Sequence, residues 1–244
     1  MTDIVGITRV RDESLIIGDT IRHFLKYCDQ IILYDDCSTD DTVAIAQQAG
    51  GKRIRIIPGD RHRPDRQMEN TRHRAILLNH ARQMGGEWCL CFDADERLIG
   101  ELPPLEGDGF QFRLFDGYLT KDRQEMPEAG GRLSLVPRLW GPEYRDILML
   151  FRIDKAAYRG TGRREPLLDG EIALAPVMVK HFGKCISIEQ WEETCNYYCE
   201  GFPGPFRTKW AARRGKAIHT MSDFNRYLFE WEHLMGTPSA WVKI

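Results

Sequence analysis

Short apolar runs alternate with longer stretches of helical period through the first hundred residues. Residues 4–8 (IVGIT) predict a strand, and residues 15–28 place Ile17, Ile21, Phe24, Leu25 and Cys28 on one helical face. Residues 30–34 (QIILY) predict a second strand ending in Asp35-Asp36. Residues 42–49 read as a helix whose start Ser38, Thr39 and Asp40 can cap. Residues 53–57 predict a third strand, closed by Pro58-Gly59, and a polar loop leads to a helix over 67–84. Residues 87–92 (EWCLCF) predict a fourth strand, which ends in Asp93-Ala94-Asp95-Glu96.

This alternation implies βαβ units and a mostly parallel sheet with helices on both faces. Right-handed crossovers then bring the carboxyl ends of the strands to one edge, where open α/β sheets bind their ligands. The two acidic clusters end the second and fourth strands, so both reach that edge. After Pro103-Pro104 the rhythm changes: residues 109–115, 133–139, 148–153 and 171–179 look like strands with few helices between them. They predict a mixed or antiparallel second half with long loops. From about Ile188 the pattern is helical to the end. The expected organisation is an α/β domain over 1–186, divided into a nucleotide-binding half (1–100) and an acceptor half (101–186). A helical extension over 187–244 packs on the same domain.

Composition narrows the class only a little. The 244 residues are 42% hydrophobic and 29% charged, as in ordinary globular chains, with a formal net charge of -2. No global field favours nucleic acid or membrane, so any basic partner site is local. No apolar run approaches the roughly 20 residues of a membrane span. Met1-Thr2-Asp3 leads directly into a strand-like stretch, which does not read as a signal peptide. The expected setting is cytoplasmic, with the seven cysteines as free thiols.

Two motifs carry chemistry. Asp93 and Asp95, spaced i and i+2 after an apolar strand, can both turn into a cleft once the pleat breaks. Hard oxygens suit Mg²⁺ or Mn²⁺, which take one or two carboxylates and fill the remaining positions with substrate phosphates and water. The bland alternative is a solvated acidic turn. Residues 34–42 (YDDCSTDDT) end a strand in two carboxylates and a hydroxyl-rich cap that can read a base and ribose. Helix capping accounts for Ser38 and Asp40 in part, but not for Asp35 and Asp36 together.

With Val10-Arg11-Asp12-Glu13 after the first strand, DDCSTDDT after the second and DADE after the fourth, the chain resembles the family 2 glycosyltransferases. Their fold is the single nucleotide-sugar-binding α/β domain called GT-A, and the similarity is greatest to small bacterial members of the lipopolysaccharide-core type. The resemblance implies that Asp36 contacts the base, that Arg11 and Glu13 line the nucleoside pocket, and that Asp93 faces the ribose or metal. It implies that Asp95 binds the metal and that Arg72 contacts the donor. Arg163-Arg164-Glu165-Pro166-Leu167 resembles a loop with a His-Glu pair in which Arg164 replaces the His. His181, in VKHFG, resembles a late His near the metal or diphosphate. The chain departs from the family at Asp12, where Asn is usual, at Cys37 and Asp41, where Gly is frequent, and at His73, where Asn is common.

The implied activity is an inverting transfer of a sugar from a nucleoside-diphosphate donor, UDP by resemblance, to an acceptor hydroxyl. A carboxylate takes the proton: Glu165 first, with Asp116 and Asp169 as rivals. The acceptor is expected on a glycan or glycolipid; a protein side chain or a modified nucleic acid is the alternative. Basic residues Arg61, His62, Arg63, Arg66, Arg72, His73 and Arg74 can neutralise diphosphate or form a solvated face. Arg207, Lys209, Arg213, Arg214 and Lys216, with Phe202, Phe206 and Trp210, can touch a membrane surface peripherally, here the inner membrane. A plain amphipathic helix packing its aromatics on the core is the simpler reading. His181, Cys185, Cys195 and Cys199 lack the tight spacing of structural zinc sites. Two other classes stay open: a nucleotidyltransferase on a related sheet, though residues 9–14 lack the glycines of a triphosphate loop, and a non-catalytic nucleotide-sugar-binding module. No P-loop is present, and Gly160-Thr161-Gly162 lacks the third glycine and the early position of a dinucleotide fingerprint.

Overall fold

The computed structural model describes residues 3–60, 66–127, 131–160, 162, 164–202 and 204–244, without the side chains of Arg66 and Gln67. The first half alternates as expected: β1 (Ile4–Val10), α1 (Ile17–Phe24), β2 (Gln30–Asp35), α2 (Thr42–Gly50), β3 (Ile54–Pro58), α3 (Arg66–Gln83) and β4 (Trp88–Cys91). The second half is strand-rich: β5 (Glu96–Ile99), β6 (Gly109–Tyr118), β7 (Leu139–Arg152), the short pair β8 (Ala156–Ala157) and β9 (Leu167–Leu168), and β10 (Ile172–His181). α4 (Ile188–Gly201), α5 (Gly204–Ala211), α6 (Trp231–Gly236) and β11 (Val242–Lys243) complete the chain.

One sheet runs β3-β2-β1-β4-β7-β6-β10-β5, with β11 added beside β7. β1 to β4 are mutually parallel, β7 is antiparallel to β4 and β6, and β10 is parallel to β6. β6 and β10 therefore point the same way as β1–β4. The pleat sorts side chains onto two faces. Ile31 and Leu33 of β2 join a core with Ile17, Ile21 and Phe24 of α1, while Ile32 and Tyr34 join one with Leu77, Leu78 and Ala81 of α3. With helices on both faces, β4 (WCLC) is buried at every position, which is why it reads as a continuous apolar run.

Three expectations change. The residues expected as strands at 133–139 and 148–153 give a 3-10 turn at Leu133–Leu135 and the single long strand β7. Pro142 and the charged residues Glu143, Arg145 and Asp146 mask that strand in sequence; its ladder with β6 runs from Tyr118↔Leu139 to Gly109↔Phe151. β5 was not expected, because it begins at Glu96 inside the acidic motif. Among its described residues, the C-terminal segment is α-helical only in α4, α5 and α6, with a 3-10 turn at Pro238–Ala240, since residues 212–230 form turns and bends. From that segment, Trp191, Cys195, Trp231 and Leu234 belong to the α1-side core. Among the described residues, no helix is long and apolar enough to cross a membrane.

Candidate functional site

The carboxyl ends of β1, β2, β4, β6 and β10 share one edge of the sheet, and the start of β5 meets them there through its antiparallel ladder with β10, where His181 pairs with Glu96. At the β2 end, Asp36 is 4% exposed and pairs with the Arg9 guanidinium, which also donates to His73 Nδ1 at 3.1 Å and to the Tyr197 hydroxyl at 3.2 Å. His73 stacks on Tyr34 and meets Glu69 at 3.1 Å through Nε2. Burial lowers its pKa, and Arg9 lowers it further. The neutral ring that accepts from Arg9 at Nδ1 must carry its proton on Nε2, toward Glu69.

The two loops at this end are latched together. The Asp12 N–H donates to Ser38 Oγ at 3.0 Å, the Thr39 N–H to Asp12 Oδ1 at 2.6 Å, and the Glu13 N–H to Thr42 Oγ1 at 2.7 Å. Asp40 accepts from the Ser14 and Thr42 N–H groups, each at 3.0 Å, so it ties the loop to the start of α2. Asp12 and Cys37 both lie in the left-handed region, at φ 51° and 58°. Asn and Gly adopt that conformation most easily, which gives a backbone reason for the residues usual there in the resembling family.

At the β4 end, the turn Asp93–Glu96 rests on Arg97, which is fully buried. Arg97 donates to Asp19 Oδ2, the Ala94 carbonyl (both 2.9 Å), the Glu96 carbonyl (2.6 Å) and Thr20 Oγ1 (3.0 Å). Asp93 receives Arg74 on Oδ1 at 2.6 Å and Arg164 on Oδ2 at 3.0 Å. Burial works against ionisation, but the two arginines outweigh it and hold the carboxyl well below its usual range. Arg164 also grips Glu96 at 2.5 Å. Both oxygens of Asp93 thus go to arginines.

Asp95 is placed differently. Its Oδ2 lies 3.3 Å from His181 Nε2, while Oδ1 is buried with no hydrogen-bond partner. Gly183 faces this pair: a Cβ there would sit 2.5 Å from Asp95 Oδ2 and 2.8 Å from His181 Nε2. A bare cradle, an orphaned carboxylate oxygen and an imidazole nitrogen suit a divalent cation that fills its remaining positions with substrate and water. No group of three or more His, Cys, Asp or Glu that could hold a metal ion occurs among the described residues. His181 Nδ1 meets Asp116 Oδ1 at 2.5 Å, the carboxylate–histidine pairing that orients a ligand ring. Burial lowers the His181 pKa, but Asp95 and Asp116 raise it to about 10. The imidazole between the two carboxylates is therefore held in its protonated form. Asp116 also receives Lys184 at 2.6 Å and Arg145 at 3.3 Å; against its burial, these cations hold it well below the carboxylate range.

The other expected residues divide. Glu13 stands near this cluster, its carboxyl pushed well above the usual range by burial and then by Asp95 and Asp93. Arg11 pairs with Asp12 at 3.3 Å and has a buried Nη1 without a partner. Arg72 is tied to Glu69 at 3.1 Å and to Asp60 at 3.2 Å, along the α3 side of the edge. Glu165 accepts the Leu148 N–H at 2.7 Å. Leu148 lies two residues past Leu150, the last β7 residue laddered to β4, so Glu165 stands where β4 stops. Asp169 is exposed beside the β8–β9 pair, its N–H bonded to the Lys155 carbonyl, in a depression it lines with Arg82 and Asp154. It does not join the cluster. Arg61, His62, Arg63, Thr161 and Arg163 lie outside the described residues.

α4 crosses this edge. Ser187 caps it, accepting from the Gln190 N–H at 3.1 Å. Gln190 reaches Glu13 at 3.3 Å, and Tyr197 meets Arg9. The Tyr198 hydroxyl is pushed up to about 12 by burial, by Tyr197 and by Asp93 and Asp95. Sequence reading missed Arg9, Gln190, Tyr197, Lys184 and Arg145. Arg9 carried a signal: it is a charged residue in a strand otherwise buried. The rest are ordinary surface residue types that only tertiary packing brings to the edge. The seven cysteines are free, and His181 turns to Asp95 and Asp116 rather than to Cys185, Cys195 or Cys199.

Residues 7–102 match the model of Glycosyl transferase family 2, a segment that holds the loops after β1, β2 and β4. Among curated proteins none matches the chain. Among solved structures, the chain is similar to glucosyl-3-phosphoglycerate synthase from Mycobacterium tuberculosis in complex with Mg²⁺ and uridine-diphosphate. That match is 21% identical over 48% of this chain and 44% of that one, with a TM-score of 0.34. It is similar to HddC from Yersinia pseudotuberculosis at 10% identity over 81% of this chain and 100% of that one, TM-score 0.39. It is also similar to 4-diphosphocytidyl-2C-methyl-D-erythritol synthase from Anaerococcus prevotii at 11% identity over 98% and 95% of the two chains, TM-score 0.33. The chain spans less than half the length of the mycobacterial synthase it matches.

Proposed function

We propose that this protein is a metal-dependent, inverting glycosyltransferase that moves a sugar from a nucleoside-diphosphate donor, UDP in our reading, to an acceptor hydroxyl on a glycan or glycolipid. The observation that carries the reading is Asp95: a buried carboxylate oxygen without a partner, next to an imidazole nitrogen, at the carboxyl edge of a parallel sheet. The match of residues 7–102 to Glycosyl transferase family 2 supports it.

Asp95 and His181 would hold Mn²⁺ or Mg²⁺, which supplies neutralisation of the charge that builds on the leaving diphosphate. Asp116 fixes the ring of His181 so that Nε2 faces Asp95. Arg74 and Arg164 balance Asp93, leaving Asp95 as the carboxylate turned to the cation. Glu13, Arg11 and Asp36 line the base end, where Glu13, its pKa raised, can donate a hydrogen bond as a neutral acid. Glu165 takes the acceptor's proton. Its Oε2 is held by the Leu148 N–H, which orients the carboxylate at the end of β4. Asp116 is too acidic and too fully paired to serve as that base, and Asp169 is too peripheral. α4, reaching Arg9 and Glu13 from above, restricts water at the site.

The test is a thermal-shift panel of nucleoside diphosphates with and without Mn²⁺, followed by an assay of nucleoside-diphosphate release. UDP with Mn²⁺ raises the melting temperature and UDP alone raises it less. Asp95→Asn removes the metal-dependent increment and lowers turnover by at least a hundredfold, while its own melting temperature stays near wild type. Wild-type turnover in that variant would sink the metal assignment. Release of pyrophosphate instead would favour a nucleotidyltransferase.

A further inference from the structure

Of the aromatics near α5, two pack inward. Phe202 is 9% exposed, and Trp210 stacks on Tyr198 at 4.5 Å and meets Trp191 at 5.9 Å. Phe206 does not follow them: it stays 40% exposed, and α5 buries none of its eight residues. A surface helix ordinarily hides one apolar face, so α5 keeps at the surface what such a helix would cover.

Charge sets the same surface apart. Residues 202–221 hold five lysines and arginines and no aspartate or glutamate, in a chain whose net charge is -2. Arg213 is committed to Asp223 at 2.6 Å. Arg207, Lys209, Arg214 and Lys216 are exposed and form no ion pair among the described residues. Glu192 of α4 reaches this stretch, where it accepts the Gly215 N–H at 2.8 Å, so one carboxylate stands among four uncommitted cations. Apolar groups accompany them: Phe224 is 51% and Tyr227 76% exposed, and the Arg213–Asp223 pair ties the end of α5 to the loop that carries both.

This surface lies at the carboxyl edge of the sheet. Ile218 bridges Leu119 just past the end of β6, and the Tyr118 hydroxyl accepts the Asp223 N–H at 3.2 Å. Asp223 also receives Lys184, which holds Asp116 beside His181.

We propose that the surface of residues 204–227 docks on an anionic phospholipid bilayer, with Arg207, Lys209, Arg214 and Lys216 at the headgroup phosphates and Phe206, Phe224 and Tyr227 in the headgroup layer. Charge complementarity selects this occupant: a plane of anionic headgroups meets cations that the chain itself leaves without partners. The exposed rings favour the bilayer over a nucleic-acid duplex, whose backbone would satisfy the cations and leave the rings in water. The docking is independent of the glycosyl-transfer reading. With that reading, an acceptor carried on a lipid would reach Asp95 and His181 without leaving the bilayer surface.

The test is co-sedimentation of the full chain with vesicles of equimolar phosphatidylglycerol and phosphatidylcholine, and with vesicles of phosphatidylcholine alone. The chain binds the first and not the second, and raised salt weakens the binding. Arg207→Gln/Lys209→Gln/Arg214→Gln/Lys216→Gln weakens it by about tenfold or more. Lys26→Gln/Lys52→Gln/Arg55→Gln/Arg159→Gln, which removes the same charge from exposed positions elsewhere, keeps the affinity within about a factor of two. Phe206→Ser/Phe224→Ser leaves the charge intact and weakens binding about fivefold. All three variants melt near the wild-type temperature. Absence of binding to the anionic vesicles, equal loss in the two charge variants, or full affinity in the aromatic variant each overturns the proposal. Binding to a DNA duplex through the same four cations, with none to vesicles, gives the surface to nucleic acid instead. If UDP with Mn²⁺ fails to stabilise the protein while anionic vesicles still bind through these residues, the membrane surface stands and the glycosyl-transfer reading falls.

Discussion

Two carboxylates two residues apart have opposite surroundings. Asp93 sits between Arg74 and Arg164, and Asp95 keeps one buried oxygen, Oδ1, without a hydrogen-bond partner. Their substitutions should therefore separate stability from chemistry. Asp93→Asn leaves Arg74, 3% exposed, without its counter-charge, and breaking a buried pair costs about 3–5 kcal/mol. Asp93 is itself 30% exposed, so the lower end applies, roughly 3 kcal/mol, or about 6–12 °C in melting temperature for a chain of this size. Calorimetry of the two Asn variants side by side is the check, and equal melting temperatures would contradict the distinction. The motif was legible in sequence as a pair. The difference between its members was not, because Arg74 and Arg164 stand 19 and 71 residues from Asp93.

At the scale of elements, the placing of β5 matters most, since it carries Glu96 and Arg97 under the turn. His23 of α1 fastens it: Nε2 accepts the Leu98 N–H at 2.9 Å, which needs the neutral ring. Burial, then Arg97, lowers the His23 pKa to about 4 from 6.5. A folded-state pKa below the unfolded one means that the unfolded chain takes up the proton first. Stability from this contact is therefore complete above pH 6.5 and is lost as pH falls toward 4, with roughly 3 kcal/mol at stake. His23→Gln, whose amide oxygen can accept the same N–H, should flatten the stability–pH curve between 4 and 6.5. Urea titrations at pH 7 and pH 4.5 measure it; an unchanged slope would remove His23 as the cause. Helix α1 was readable from its apolar period and the start of α2 from its capping residues, whereas β5 hid behind its acidic start and β7 behind Pro142 and residues 143–146. A strand is stabilised by partners far along the chain, so its own residues need not advertise it.

For the whole molecule, the segment after residue 187 behaves as part of one folding unit. Trp231 is buried against Trp140 at 5.1 Å and Phe115 at 5.9 Å, with the Lys180 ammonium 4.6 Å from its ring centre, and β11 adds a strand to β7. Trp231→Ala should cost about 3–5 kcal/mol and lower the melting temperature of the entire chain in a single transition. A separate early transition, with the rest melting as wild type, would make the segment an independent module. The same packing lays α4 over the edge and joins Arg213 to Lys184 through Asp223, so the extension reaches that edge as well as covering the core.

The alternation of apolar runs with helical period, and the position of acidic residues just past strands, determined the α/β architecture and the edge to which the acidic loops come. Backbone hydrogen bonding and burial act over a few residues, so they leave a periodic trace in the chain. Which carboxylate keeps an unpartnered oxygen, which is bound up by arginine, and which basic residues surround Asp116 were decided by tertiary structure. Electrostatic partners meet across space at distances of a few ångströms, and neither residue of such a pair marks the other in the sequence.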